Sequence, residues 1–179
     1  MFDWFSVTDT PVTAVSGPDA IDLLKNDHDS IKELFDRFKK AKDRRSKAKI
    51  ARQALNELKI HAELEEEIFY PAVRQQVGKD VMNEADEEHH VAKLLIAELE
   101  KMDGHGDHFE AKFNVLAENV RHHIKEEESE MLPKAQGADI DLVKLGQRIE
   151  RRKEQLLSWA PGPRFHHRAG SSRQKSPNR

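Results

Sequence analysis

The 179-residue sequence contains no cysteine. Disulfides, iron–sulfur clusters, cysteine-based zinc sites and thiol catalysis are therefore excluded for this chain. Long apolar runs are also missing, and none approaches the roughly 20 residues that cross a bilayer as a helix. Residues 1–18 contain no Lys or Arg and no continuous apolar stretch, so they do not resemble a signal peptide. We therefore expect a cytoplasmic protein with no membrane partner.

Glycine and proline are scarce, with 8 and 7 residues, whereas charged residues make up 35% of the chain and hydrophobic residues 37%. This composition is typical of amphipathic helices whose apolar faces are buried and whose outer faces are charged. The formal net charge of −3 is close to balance, so overall charge indicates no nucleic-acid partner.

Apolar residues at helical spacing predict five helices. The first begins after Asp19, a good helix cap, and runs to about residue 42. The next three cover about 46–76, 80–102 and 108–132, and the fifth covers 139–159. We predict an all-α, up-down-up-down four-helix bundle over 19–159, with its ligand-bearing core at about 19–135 and an additional C-terminal helix. The fifth helix either covers one face of the bundle or forms a homodimer contact, and the sequence leaves both open.

The two ends of the chain differ from this helical pattern. Residues 1–18 predict an irregular N-terminal arm that ends at Ser16-Gly17-Pro18. Residues 160–179 are rich in Pro, Gly and Ser and contain basic but no acidic side chains, which predicts a disordered basic tail. A weak contact of this tail with an anionic partner is the minor alternative.

The most informative feature is an internal repeat. In two helices a histidine is followed four residues later by a glutamate and ten residues later by a proline: His61, Glu65 and Pro71, then His123, Glu127 and Pro133. The other two helices each place one histidine in the apolar stripe and a lysine four residues later: His28 with Lys32, and His89 with Lys93. The bundle therefore reads as two similar helical hairpins.

Residues four apart lie on the same face of a helix, so each His-x-x-x-Glu pair projects together into the apolar interior. Burying an unpaired carboxylate costs several kcal/mol or forces it to become neutral. A pair of metal cations offsets that cost, since neutral imidazoles and carboxylates both bind transition metals. A single histidine on an apolar face is more often an ordinary core residue, but the repeated pattern favours metal binding.

The polar neighbours of these residues receive a different interpretation. His90 and His122 point about 100° away from the adjacent histidines, which indicates surface positions or positions that support the ligands from outside. Packing is the favoured role for Tyr70, with a redox or supporting role as the alternative. Five glutamates are interpreted as a solvated face, with Glu128 the best substitute ligand: Glu66, Glu67, Glu126, Glu128 and Glu130.

The pattern resembles the hemerythrin-like, or HHE cation-binding, family. Four segments carry the resemblance: Asn26–Asp29, His61–Pro71, Glu88–Val91 and His123–Pro133. It implies a four-helix bundle with a non-heme di-iron centre, in which an oxo or hydroxo bridge leaves open positions for O2, peroxide or NO. Carried over to matching positions, the implied metal ligands are His28, His61, Glu65, His89, His123 and Glu127.

One departure from the family's oxygen carriers bears on function. They have a further histidine where this chain has Lys93, so this site resembles the variant with four histidines and two carboxylates. That variant resembles di-iron proteins that repair iron–sulfur clusters and others that sense iron or oxygen. The repair proteins carry a cysteine-containing domain that this chain lacks. We expect a protein that binds or senses O2, NO, peroxide or iron. The alternatives are a di-iron enzyme of oxidative or nitrosative stress defence, and a bundle without metal.

Overall fold

The computed structural model describes residues 17–159. Seven α-helices and two π-helical turns follow one another: α1 (Ala20–Lys40), α2 (Arg44–Leu64), π1 (Glu65–Phe69), α3 (Tyr70–Val77), α4 (Lys79–Met102), α5 (Phe109–Glu126), π2 (Glu127–Met131), α6 (Leu132–Gln136) and α7 (Leu142–Trp159). The segments α2–π1–α3 and α5–π2–α6 are continuous, and with α1 and α4 they form the four rods of the bundle. The predicted all-α bundle with an additional C-terminal helix is confirmed.

Carboxylate caps explain where the first two helices begin. An oxygen of Asp19 accepts a hydrogen bond of 2.9 Å from the amide of Asp22, as expected for the predicted cap. Asp43 accepts an equivalent bond from the amide of Ser46. The second helix therefore begins two residues earlier than predicted, because the capping side chain lies before Ser46.

We predicted regular helices for the second and fourth rods, but a π-helical turn interrupts each of them. In π1 the amide of Tyr70 donates to the carbonyl of Glu65, five residues back, and the same bond recurs in π2. Pro71 and Pro133 follow one residue later in each rod. A proline inside a helix cannot donate to the carbonyl four residues back, and its ring crowds that carbonyl. Widening the preceding turn by one residue relieves this crowding.

The interior consists of two apolar clusters with a layer of polar side chains between them. One cluster joins the end of α1 and residues 51–58 of α2 to α4 and α5, and includes Phe38 and Phe113. The other joins the start of α1 and the end of α2 to π1, α3, α4, π2, α6 and α7, and includes Phe69 and Met82. The six candidate ligands are buried between these clusters.

Helix α7 covers the bundle along α1 and the second rod. Leu145 and Ile149 are buried in the apolar cluster there. Gly146 allows the close approach, because a Cβ at this position would lie 2.6 Å from the carbonyl oxygen of Pro18. Of the two arrangements left open by the sequence, α7 therefore takes the one that covers a face of its own bundle.

The two predicted terminal segments lie almost wholly outside the described residues. Residues 1–16 of the expected arm and the expected basic tail at 160–179 are not described. Within residues 17–159, no helix is long and apolar enough to span a bilayer.

Candidate metal centre

The six predicted ligands are brought together in one buried layer. They are the buried polar or charged side chains of residues 17–159, and each is at most 7% exposed: His28, His61, Glu65, His89, His123 and Glu127. The other histidines of the described chain, such as His90 and His122, are exposed. The side chains that the repeat predicts to face the interior are therefore buried.

Glu65 lies between two groups of donors. One of its oxygens is 3.1 Å from Nε2 of His61, and the other is 3.2 Å from Nε2 of His89. Glu127 places an oxygen 3.1 Å from Nε2 of His28. Ligand atoms of His28, His61, Glu65 and Glu127 lie within 4.8 Å of one another, as do those of Glu65, His89 and His123. The arrangement offers two adjacent cation positions with one carboxylate shared between them.

Most of these polar atoms have no hydrogen-bond partner. Seven buried side-chain atoms within residues 17–159 are unsatisfied, and all belong to four of the candidate ligands: Nε2 of His28, both ring nitrogens of His61, and both oxygens of Glu65 and Glu127. A buried polar atom without a partner costs about 1–3 kcal/mol, and more for a charged group. A cation in this layer would satisfy the inward-facing atoms, so the donor set fits bound metal.

A second layer of carboxylates surrounds the histidines. Nδ1 of His28, His89 and His123 donates to Glu128, Glu66 and Glu88 over 2.9, 2.8 and 2.8 Å, respectively. Carboxylates only accept, so these three nitrogens carry a proton, and in the neutral imidazole the lone pair of Nε2 faces the interior. Such contacts orient metal-binding imidazoles and increase their basicity.

This second layer was missed by the sequence interpretation. Glu66 and Glu128 were assigned to a solvated face, but each is about one-third exposed and contacts a histidine. The repeat contains the missing signal, since both residues directly follow the glutamate of a His-x-x-x-Glu pair. Glu128 does not substitute for Glu127, because it binds the outward-facing nitrogen of His28.

Lysines in turn bind three of the outer carboxylates. Lys32 lies 3.3 Å from Glu128, Lys93 contacts Glu66, and Lys153 of α7 contacts Asp27. Asp27 approaches Nδ1 of His61 at 3.9 Å, longer than a hydrogen bond. The two lysines of the repeat, at position +4 from His28 and His89, therefore have equivalent roles in the two hairpins.

Tyr70 contacts the centre directly. Its hydroxyl lies 3.2 Å from Nε2 of His89 and 3.4 Å from Nε2 of His123. Burial, and the nearby charges of Glu65 and Glu127, raise the pKa of Tyr70 well above its usual value, so the hydroxyl stays protonated and donates. A residue five positions after Glu65 would lie about 140° away on a regular helix. The extra residue of π1 instead turns Tyr70 towards the interior. Tyr70 therefore contacts the histidines in addition to the packing role that the sequence favours.

The charges of the layer are strongly interdependent. Burial lowers the pKa of His28, but contacts with Glu127 and Glu65 outweigh it and raise that pKa to about 9. Burial likewise opposes charge on His61, whereas the charge of Glu65 and contacts with Asp27 and Glu65 raise its pKa to about 10. Burial and the charge of Glu65 raise the pKa of Glu127. Without metal, positive charge on these histidines therefore balances the buried carboxylates.

A cavity of about 380 Å³ lies between α2, α4 and α5 and reaches three of the histidines, His61, His89 and His123. Its walls are largely apolar and include Leu58, Ala92, Ile96, Val120 and Ile124. Glu66 and Lys93 also line it. The cavity connects the donor set to a space that a small molecule can occupy.

Known proteins share both the sequence pattern and the fold. A DNA nickase of Nostoc sp. is 28% identical over 108 residues, which are 60% of this chain and 31% of that protein. The chain thus spans about a third of that relative's length. A hemerythrin HHE cation binding domain-containing protein from Mycobacterium kansasii has a crystal structure that matches with a TM-score of 0.68 and 25% identity, over 79% of this chain and 89% of that one. The model of the hemerythrin HHE cation binding domain matches residues 19–135, so the chain belongs to this family.

Proposed function

We propose that the buried layer binds two iron ions as a non-heme di-iron centre, and that the protein binds or senses O2, NO or peroxide there. Seven buried atoms of four candidate ligands lack a hydrogen-bond partner, and this supports the proposal. Iron suits a mixture of imidazole and carboxylate ligands. Bound iron would supply reversible one-electron chemistry and coordination positions for such small molecules.

Each side chain has a defined role in this proposal. His28 and His61 would hold one ion, and His89 and His123 would hold the other. Glu65 is shared between the two positions, because its oxygens face different histidines. Glu127 lies with His28, His61 and Glu65. The carboxylates that accept from Nδ1 keep the imidazoles in the tautomer that exposes Nε2.

Other residues of the chain determine how a small molecule reaches the position beside His89 and His123 and how polar its surroundings are. The apolar cavity admits a small uncharged molecule beside His89 and His123. Tyr70 holds a proton within 3.4 Å of both Nε2 atoms, so it can donate a hydrogen bond to a molecule bound between them.

A second candidate function is a di-iron enzyme that consumes peroxide or handles NO. The cavity that reaches His61, His89 and His123 is compatible with this alternative, since it gives successive substrate molecules access to the centre. Nickase activity is not part of either candidate, because this chain covers only 31% of the relative with that name.

Metal analysis and spectroscopy test the proposal. We expect two irons per chain in protein produced without an affinity tag, and an absorption spectrum that changes with O2, NO or peroxide. The His90→Ala variant, altered at an exposed neighbour of His89, should behave as wild type. A chain that binds no iron even after anaerobic addition of Fe²⁺ would exclude a di-iron function. Peroxide or NO turnover above that of free iron would select the enzyme.

The cytoplasmic location and the homodimer stay predictions. Cell fractionation tests the first, and light scattering of the purified chain tests the second.

A further inference from the structure

An acidic cleft of about 50 Å³ lies between α4 and the α5–π2 segment. Five of its lining residues are glutamates: Glu84, Glu88, Glu126, Glu127 and Glu130. His123 also lines it, so the cleft adjoins the buried layer. It shares Glu88 and His123 with the larger apolar cavity, but differs from that cavity in chemistry.

A group of metal-ligand type lies at this cleft. Nε2 of His122 is 3.2 Å from an oxygen of Glu126 and 3.9 Å from an oxygen of Glu88. Ligand atoms of these three side chains lie within 4.8 Å of one another. His122 is 62% exposed, so the group is accessible from solvent.

A buried carboxylate that is also a candidate ligand of the buried centre lines the cleft as well. Glu127 is 2% exposed, and neither of its oxygens has a hydrogen-bond partner. Glu88 connects the surface group to the buried layer. One of its oxygens faces His122, and the other accepts a hydrogen bond of 2.8 Å from Nδ1 of His123. A cation held at the surface group therefore has carboxylate oxygens ahead of it in the interior.

Comparison of the two hairpins shows that the group at Glu88 lacks a basic side chain to neutralise its charge. Asp27 and Glu88 are equivalent in the repeat, since each directly precedes the lone histidine of its hairpin. Asp27 is neutralised by Lys153 of α7. In the described chain, no Lys or Arg forms an ion pair with Glu88 or Glu126, and Lys134 approaches only Glu130, at 3.9 Å. A metal cation would supply the charge that Lys153 supplies in the other hairpin.

We propose that Glu88, His122 and Glu126 form a surface site for a divalent transition-metal ion, and that ions pass from it along the acidic cleft into the buried centre. Imidazole and carboxylate ligands select such ions over alkali cations. Exposure makes the site weak, which suits a transient stop before loading. The loading role rests on the proposed di-iron function, whereas the surface site does not.

The loading role is tested on the metal-free full-length chain. Anaerobic stopped-flow mixing with Fe²⁺ or Co²⁺ follows the absorption of the filled centre in wild type and in the double variant His122→Ala/Glu126→Gln. We expect loading to slow about tenfold, within the range of electrostatic steering, with an unchanged final metal content. Glu118→Gln, at an exposed position on the same helix, is the matched control. Equal loading rates for the double variant and wild type would overturn the route.

The surface site itself is tested with Mn²⁺ in a chain whose two buried positions are both disabled, by His28→Ala, His61→Ala and His89→Ala. Electron paramagnetic resonance should detect one weakly bound Mn²⁺, which is lost when His122→Ala/Glu126→Gln is added. Persistence of that binding in the combined variant would overturn the site. A wild-type chain that never fills its interior but still shows this Mn²⁺ would refute the di-iron function and retain the surface site.

Discussion

Nδ1 of His89 donates a hydrogen bond of 2.8 Å to Glu66, although the two residues belong to different hairpins. The equivalent bond joins His28 to Glu128 in the opposite direction, over 2.9 Å. Each hairpin therefore supplies a lone histidine and also the carboxylate that orients the lone histidine of the other. The centre can reach its final geometry only when both hairpins have docked.

Loss of one such contact should weaken metal binding without abolishing it. In Glu66→Gln, the amide oxygen still accepts from His89, but the negative charge that strengthens the imidazole is absent. We expect metal affinity to fall about 10- to 100-fold, at unchanged saturating content. Competition with a chelator measures the affinity, and Glu118→Gln provides a surface control. An affinity equal to that of wild type would show that Glu66 does not support the centre.

Substitution of Glu65 should reduce metal binding more than substitution of its neighbour Glu66. The Glu65→Gln variant keeps the shape of the side chain but removes the charge shared by both cation positions, so we expect it to lose bound metal. The melting temperature of protein purified with metal should fall accordingly, because metal binding contributes to folding. The metal-free chain should also lose stability, because His28 and His61 lose a carboxylate that balances their charge, so bound metal content is the deciding measurement. If Glu66→Gln loses as much metal as Glu65→Gln, the ligand register is wrong.

The stability of the two forms should depend on pH in opposite directions. The pKa values of His28 and His61 are raised to about 9 and 10 in the metal-free fold. Their contribution is complete below the unfolded value of about 6.5 and is lost as the pH rises through 9 to 10. Glu65, whose pKa is lowered well below its usual value, stays ionised over this range. Metal-loaded protein should instead become less stable as the pH falls, because protons compete with the ions.

Thermal melts of both forms between pH 6 and 9.5 measure this difference. A metal-free chain whose melting temperature rises across that range would contradict the charge balance described for the buried layer.

The docking of α7 depends on the small size of Gly146. In Gly146→Ala, the added Cβ meets the backbone of Pro18, Asp19 and Ala20 at 2.6–3.0 Å, so the helix must shift. We expect a loss of about 1–3 kcal/mol, as for overpacked sites, measured by urea denaturation. Gly137→Ala is the control, since its nearest contact is 3.6 Å. Equal stability of the two variants would mean that α7 does not pack closely at this point.

Periodicity was sufficient to predict the helices and the inward register of the six candidate ligands. His61 and Glu65 lie within one α-helical interval, so a rule based on a regular helix placed them correctly. Tyr70 lies beyond the π turn, where that rule fails by one residue, and its contact with the histidines could not be predicted in the same way. Glu66 was equally hidden, because its partner His89 comes from a distant helix in a chain with 33 acidic residues.

The asymmetric position of α7 makes the two halves of a nearly symmetric centre unequal. Lys153 and α7 cover the hairpin that holds His28 and His61. The apolar cavity reaches His61 as well as His89 and His123, but of these four histidines the acidic cleft reaches only His123, in the other hairpin. A metal ion in the covered half should therefore exchange slowly, and a metal ion in the open half should exchange faster. A chelator would then empty the centre in two kinetic phases, and a protein carrying a single ion would be a natural intermediate.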